Sequence, residues 1–184
     1  MVILMPVETQ HNMTANNLTS AEYKEFYGRY IKKIPGNLRL GILLEENRDE
    51  FLKFLERIAP ENLDYAYAQG KWSIAEVLQH IIDVERIFQY RALCIAREPG
   101  IVLPGYDHEA YASTSKANRR TLHSLKDEFT AVRNSGIVMY ESFSNEMLLN
   151  LGSVSGGNTS CRATGFIVAG HTLHHMEIIK EYYL

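Results

Sequence analysis

Apolar residues recur at spacings of three and four along most of the chain. Between Leu38 and Ala59, Leu40, Leu43, Leu44, Phe51, Leu52, Phe54, Leu55 and Ile58 stand among charges, which predicts an amphipathic helix ended by Pro60. Ser73 and Glu76 make a capping box that opens a second helix, expected to run to about Glu98 before Pro99-Gly100 breaks it. Its inner stripe reads Val77, His80 with Ile81, Val84, Phe88. A third helix follows from about Thr121 to Phe143, carried by Leu122, Leu125, Phe129, Val132, Ile137, Tyr140 and Phe143; Gly136 weakens it without ending it. The last opens near Thr159 or Ser160 and runs close to the C-terminus. Ahead of these four, Thr19 and Glu22 make another capping box and predict a short extra helix to about Ile34, stopped by Pro35-Gly36.

The segments between are irregular by pattern. Residues 1–18 are polar and Asn-rich after an apolar start and predict a flexible N-terminal arm. Residues 99–120 contain the Pro104-Gly105 turn, with room for one helical turn around Asp107 to Ala112, and are long enough to cross the bundle or cover one end of it. Residues 150–158, with Gly152, Gly156, Gly157 and several serines, predict a loop. No hairpin signal, no alternating strand and no internal repeat stands out. Four long helices, each with an apolar face to bury, predict an all-α fold: a single four-helix bundle domain over residues 19–184, with the extra short helix at its start.

Composition narrows the partners. Nineteen Lys and Arg against 22 Asp and Glu give a formal net charge of -3, and Arg119-Arg120 is the nearest thing to a basic run. A nucleic-acid surface needs a basic stripe to neutralise phosphates, so nucleic acid is not an expected partner. No stretch approaches the length that spans a bilayer, so no membrane is expected either. Met1 to Met5 is apolar but short of a signal peptide's apolar run, and Pro6 follows it. Two cysteines, Cys94 and Cys161, are too few for a disulfide framework and fit a reducing compartment. The cytoplasm is the expected location.

Of the seven histidines, three crowd the last helix: His171, His174 and His175. His171 and His175 are four apart, one helical turn above the other on one face, where two imidazoles can reach one ion. The pair alone reads equally well as a cationic cluster near a helix C-terminus. His80 changes the weighing, because it sits on the inner stripe of a different long helix, and bundles build metal sites from facing helices in this way. Three neutral ligands would leave a fourth position for water or substrate, the pattern of a catalytic site.

The motifs around these residues resemble a known family. Residues 71–80, K-W-S-I-A-E-V-L-Q-H, are similar to the W-S-x-x-E-x-x-x-H opening of the second helix in the DinB/YfiT-like superfamily. Residues 169–176, A-G-H-T-L-H-H-M, are similar to its G-H-x-x-H-H ending, and residues 125–133, L-K-D-E-F-T-A-V-R, resemble its third helix. The likeness covers most of residues 38–184; the arm and the short first helix lie outside it. It implies a four-helix bundle with zinc, nickel or another divalent first-row ion on three histidines, which fall here at His80, His171 and His175, with His174 as the non-ligating neighbour. It also implies a homodimer, as is common among members. Relatives of known activity are thiol-dependent (bacillithiol transferases and a mycothiol-dependent maleylpyruvate isomerase), and many others are described as metal-dependent hydrolases without a known substrate. The family name refers to damage-inducible genes.

The expectation is therefore a metal-dependent S-transferase or hydrolase acting on a small molecule, with a low-molecular-weight thiol as a possible cofactor. The alternatives are a non-catalytic metal-binding stress-response or sensor protein, and a plain helical protein with structural histidines. Asp83, Glu85 and Glu177 could orient an imidazole or act as a base, although a solvated helix face is the plainer reading. Arg133 and Arg162 are candidates for holding an anionic thiol on charge alone. Trp72 is expected to staple the start of its helix, the tyrosines to serve core or dimer surface, and the cysteines to be small buried residues.

Overall fold

The computed structural model describes residues 13–184. The apolar start at Met1 to Met5 and most of the expected arm lie outside those residues.

The four long helices form where the apolar spacing places them: α2 (Leu40–Leu55), α3 (Ile74–Arg97), α5 (Leu122–Glu141) and α7 (Cys161–Tyr182), with short helices α1 (Gly28–Ile31), α4 (His108–Thr114) and α6 (Asn145–Leu149) between them. Polar side chains open each of the last three long ones. Ser73 Oγ accepts from the Glu76 N–H at 3.2 Å while the Ser73 N–H donates to Glu76 Oε2 at 2.8 Å, the capping box expected for α3. Thr121 caps α5 and Ser160 caps α7 in the same way, each hydroxyl accepting an amide three residues on.

Packing closes the four into a ring. α3 lies against α5 and α7, and α2 lies against the same two. Every residue from 161 to 172 is buried, so the first half of α7 is wrapped on all sides rather than on one stripe. The fourth side comes from the N-terminal segment, which α1 lays across α7. There Gly170 is required by close approach: a Cβ on it would stand 2.2 Å from the Tyr30 carbonyl oxygen.

Three departures from the expected pattern have physical causes. Residues 19–34 are not one helix but a chain of 3₁₀ turns ending in the single turn of α1. Tertiary contact overrides the local signal: the Glu22 carboxylate of the capping box is also claimed by Arg162 and Ser160 on the far side of the core. Thr14 also bridges to Arg39 and Ala15 is buried, so the described end of the expected arm is packed.

The second departure is a small sheet, so the fold is not purely all-α. β1 (Val102–Leu103) pairs parallel with β2 (Leu151–Val154), which pairs antiparallel with β3 (Gly157–Ser160). The expected loop at residues 150–158 is in fact this hairpin. Its two turn residues, Ser155 (φ 53°) and Gly156 (φ 78°), both take the left-handed conformation that a tight two-residue hairpin loop needs. Alternation was hard to read because a buried position is Gly152, where a Cβ would meet Ile95 at 2.9 Å. The third is α4, a little longer than the one turn allowed for, capped by the Asp107 carboxylate.

At mid-bundle lies a closed polar cluster. Arg133 on α5 meets Glu85 on α3 through two bonds of 2.7 Å, and its remaining donors reach Asn47 Oδ1 (2.7 Å) and the Leu44 carbonyl on α2 and Thr172 on α7. Arg133 is 0% exposed and Glu85 2%. One guanidinium thereby ties all four helices together, and two apolar cores flank it.

Candidate metal centre

α3 and α7 bring His80, His171 and His175 to one point. Nε2 of His171 stands 3.1 Å from Nε2 of His80 and 3.1 Å from Nε2 of His175. The three nitrogens all lie within 4.8 Å of one another. His171 and His175 are buried and His80 is half-buried.

Burial, ahead of the neighbouring histidines, holds the imidazoles of His171 and His175 well below the usual histidine range. Burial and then nearby His108 push His80 down to about 4. All three are therefore neutral near pH 7, the form in which a histidine offers a ring nitrogen as a ligand. A neutral Nε2 has either one proton or one lone pair. His171 Nε2 consequently cannot make two full hydrogen bonds to its two neighbours. Three lone pairs turned on a shared cation satisfy every nitrogen at once. Two imidazole nitrogens about 2.0–2.1 Å from one tetrahedral ion would stand about 3.3 Å apart, close to the observed separation. The donor set thus fits a borderline divalent ion such as zinc or nickel. One feature is less regular: His175 Nδ1 is buried with no hydrogen-bond partner among the described residues, where ligating histidines commonly donate to a carboxylate or carbonyl.

The triad opens on a cavity of about 360 Å³. Its walls are largely aromatic. Trp72 lies over His80 with ring centroids 4.8 Å apart, and its Nε1–H donates to Glu109 on α4 at 3.2 Å. Tyr30 sets its ring edge-on to His171 at 5.3 Å, an approach that Gly170 makes possible. Phe88, Tyr106 and His108 complete much of the surface, and His108 stands 6.0 Å from His80 between centroids. Burial pushes the Tyr106 hydroxyl up to about 12, so it stays protonated. Arg29 and Arg91 line the cavity, and among the described residues no Asp or Glu does.

The other candidates fall elsewhere. His174 packs on Tyr30 at 5.3 Å and stays out of the triad. Glu85 is not on a solvated face but inside the bundle with Arg133, and this pairing also removes Arg133 as an anion site. Arg162 is consumed likewise by buried Glu22, through two bonds of 2.7 Å. Asp83 is hydrogen-bonded to Gln79 at 2.9 Å, and burial raises its pKa. Glu177 is exposed and paired with Lys33. Cys161 is buried, its thiol pushed up to about 12, while Cys94 is half-buried. Sequence reasoning missed Arg91, although it continues the 80-84-88-91 stripe of α3 and was legible there. Tyr106 and His108 reach the cavity from an irregular connection, where no periodicity could announce them.

Comparison with known proteins agrees with this fold. The structure is similar to YfiT from Bacillus subtilis, described as a probable metal-dependent hydrolase with an unusual four-helix bundle topology, at a TM-score of 0.71 and 14% identity over 90% of each chain. At that identity the likeness speaks for the fold alone. No curated protein sequence matches the chain. Among the described residues, no helix is long and apolar enough to cross a membrane. The family model of the DinB superfamily matches residues 43–179, a span that holds all three clustered histidines, and the chain belongs to that superfamily.

Proposed function

We propose that this protein is a metal-dependent enzyme that holds one divalent ion on His80, His171 and His175 and promotes attack of a small nucleophile on a small electrophilic substrate. The observation that carries the proposal is the convergence of three neutral Nε2 atoms from two helices on a point that opens into a cavity. When bound, an ion of this class supplies an open position at which a water or thiol loses its proton more readily. The chain's own residues do the rest. The two helices fix the imidazoles, and Trp72 and Tyr30 hold His80 and His171 by ring packing.

The nucleophile is a low-molecular-weight thiol or water, giving S-transfer or hydrolysis respectively. YfiT's description favours hydrolysis for that relative; resemblance to thiol-using members favours transfer. A sensor module would be expected to close the site with a fourth protein ligand, and among the described residues no fourth candidate joins the three. The same family likeness supports a homodimer, checked by light scattering on the eluting protein.

Elemental analysis of untagged protein is expected to find close to one divalent ion per chain, and His80→Ala and His175→Ala to lose it. Unchanged metal content in both variants would defeat the proposal. With metal content established, loss of a test thiol in the presence of a chlorinated or epoxide electrophile assigns transfer. Ester cleavage without thiol assigns hydrolysis. Silence in both assays, across several thiols and esters, favours the sensor.

A further inference from the structure

Three arginines are buried in the described structure, and two of them have their charge answered by a carboxylate. Arg133 rests on Glu85 and Arg162 on Glu22. Arg91 is 3% exposed and has no carboxylate partner among the described residues. Its Nη2 donates to Ser155 Oγ at 3.2 Å and, at the edge of hydrogen-bonding range, to the Pro104 carbonyl at 3.4 Å. The guanidinium carbon lies 4.9 Å from the Phe88 ring centroid and 5.7 Å from that of Tyr106. These partners are neutral, and among the described residues the donors on Nε and Nη1 have no partner; neither atom is sealed from solvent, so both are open to a ligand. A guanidinium cannot shed its charge by deprotonation, so burying one without a counter-ion is costly.

This unanswered charge lines the cavity of the three histidines. Arg91 is eleven residues beyond His80 on one stripe of α3, roughly 16 Å along the helix axis. Side chains on a helix lean toward its N-terminus, which points the long Arg91 side chain back along the cavity in the direction of His80. Val84 and Phe88, the stripe residues between, line the same cavity. One end of the cavity therefore offers nitrogen ligands, with Arg29 held beside them on Tyr30; the middle is apolar, and the other end offers a second, buried permanent cation.

We propose that this cavity takes a small organic anion lengthwise, with its carboxylate or phosphate on Arg91 and its reacting group at the three histidines. Only the placement of the reacting group rests on the function proposed above. Arg91 is a binding and positioning residue: it fixes which molecules enter and in what direction. A guanidinium matches both anions through charge-assisted bonds.

The test uses six-carbon probes that differ in charge and head group: 6-mercaptohexanoate, 6-mercaptohexanol, hexanoate and hexyl phosphate. Each is titrated calorimetrically into zinc-loaded and metal-free protein. In the native chain, 6-mercaptohexanoate is expected to bind at least tenfold tighter than 6-mercaptohexanol. Arg91→Met should erase that ratio chiefly by weakening 6-mercaptohexanoate, with a much smaller change for the alcohol, and Arg91→Lys should keep part of it. Comparing hexanoate with hexyl phosphate then identifies the preferred anion. Equal binding of the charged and neutral thiols to native protein overturns the proposal, as does a preference that survives Arg91→Met. Failure of the metal assignment looks different, because zinc would then not improve binding of either thiol while the charge preference remains. Melting of the ligand-free variants adds an independent check. Removing an unanswered charge should leave the Arg91→Met melting temperature unchanged or raise it, whereas a large fall would show that the fold already satisfies Arg91.

Discussion

Two of the polar clusters buried in this bundle are fed by the same two helices. α3 supplies Glu85 to one and His80 to the other; α7 supplies Thr172 to one and the adjacent His171 to the other. Around Arg133 every charge meets its opposite, and the remaining donors reach a carbonyl, an amide and a hydroxyl. Around the triad three ring nitrogens face one another with too few protons and lone pairs to pair off, and Arg91 stands nearby without a carboxylate. A polar cluster that closes on itself holds helices in register. One left open has bonding capacity to give to something that is not part of the chain.

Breaking the closed cluster should have the largest effect on stability. Arg133→Met leaves the Glu85 carboxylate 2% exposed and stripped of its partner. The expected cost is about 3–5 kcal/mol in urea unfolding. The double variant Arg133→Met with Glu85→Leu should recover much of it, because an apolar pair can replace a buried ion pair. If the single variant unfolds at the native urea concentration, Arg133 does not hold the helices.

Gly170→Ala tests how the open cluster is supported. An ordinary helical Gly→Ala change gains roughly 1 kcal/mol. Here the new methyl would stand 2.2 Å from the Tyr30 carbonyl oxygen and 2.5 Å from its carbon, and backbone cannot swing aside as a side-chain tip can. The expected outcome is a net loss of up to about 3 kcal/mol, together with weaker metal retention as Tyr30 withdraws from His171. A stabilised variant with intact metal content would show that the N-terminal segment does not bear on the site.

The pattern that revealed these clusters in the sequence was uneven. His80, His171 and His175 were legible because helical periodicity fixes which way a residue faces, and a bundle turns such faces toward each other. Arg133 and Arg162 were misplaced as anion sites because their carboxylate partners lie 48 and 140 positions away, on elements that only folding brings near. The hairpin at 151–160 was read as a loop because glycines fill places where alternation would otherwise show. Trp72 packs at the start of α3 as expected, but it also covers His80, a second role that its position in the capping motif does not disclose.

Acid should separate the clusters without any mutation. In the metal-free protein His80 titrates near 4, against about 6.5 in an unfolded chain. Between those values the unfolded state binds a proton that the folded state refuses, so stability falls as pH drops below 6.5 and the contribution is flat above it. At pH 5 His80 alone accounts for about 2 kcal/mol, and His171 and His175 shift in the same direction. Glu22, held low chiefly by Arg162 against the opposing effect of burial, adds its own loss only at more acid pH. Urea midpoints of the metal-free protein at pH 7 and pH 5 measure the total, and His80→Asn should make the dependence shallower, with the part due to His171 and His175 remaining. An equal slope in both proteins would mean that His80 takes up its proton as readily folded as unfolded.

The smallest expected effect is the most selective. His174 adjoins His175, shares its residue type and lies in the same cavity wall, yet its ring turns to Tyr30 and not to the triad. It is half-buried and makes no hydrogen bond among the described residues, so His174→Ala removes little beyond ring packing. The change should alter stability by about 0.5 kcal/mol or less and leave metal content at the native level. His175→Ala, one residue further on, should abolish metal binding. If both variants lost the metal equally, the helix would be presenting a diffuse histidine patch, and the distinction between an ordered open site and a merely polar surface would fail at the one place where neighbouring residues of identical chemistry put it to the test.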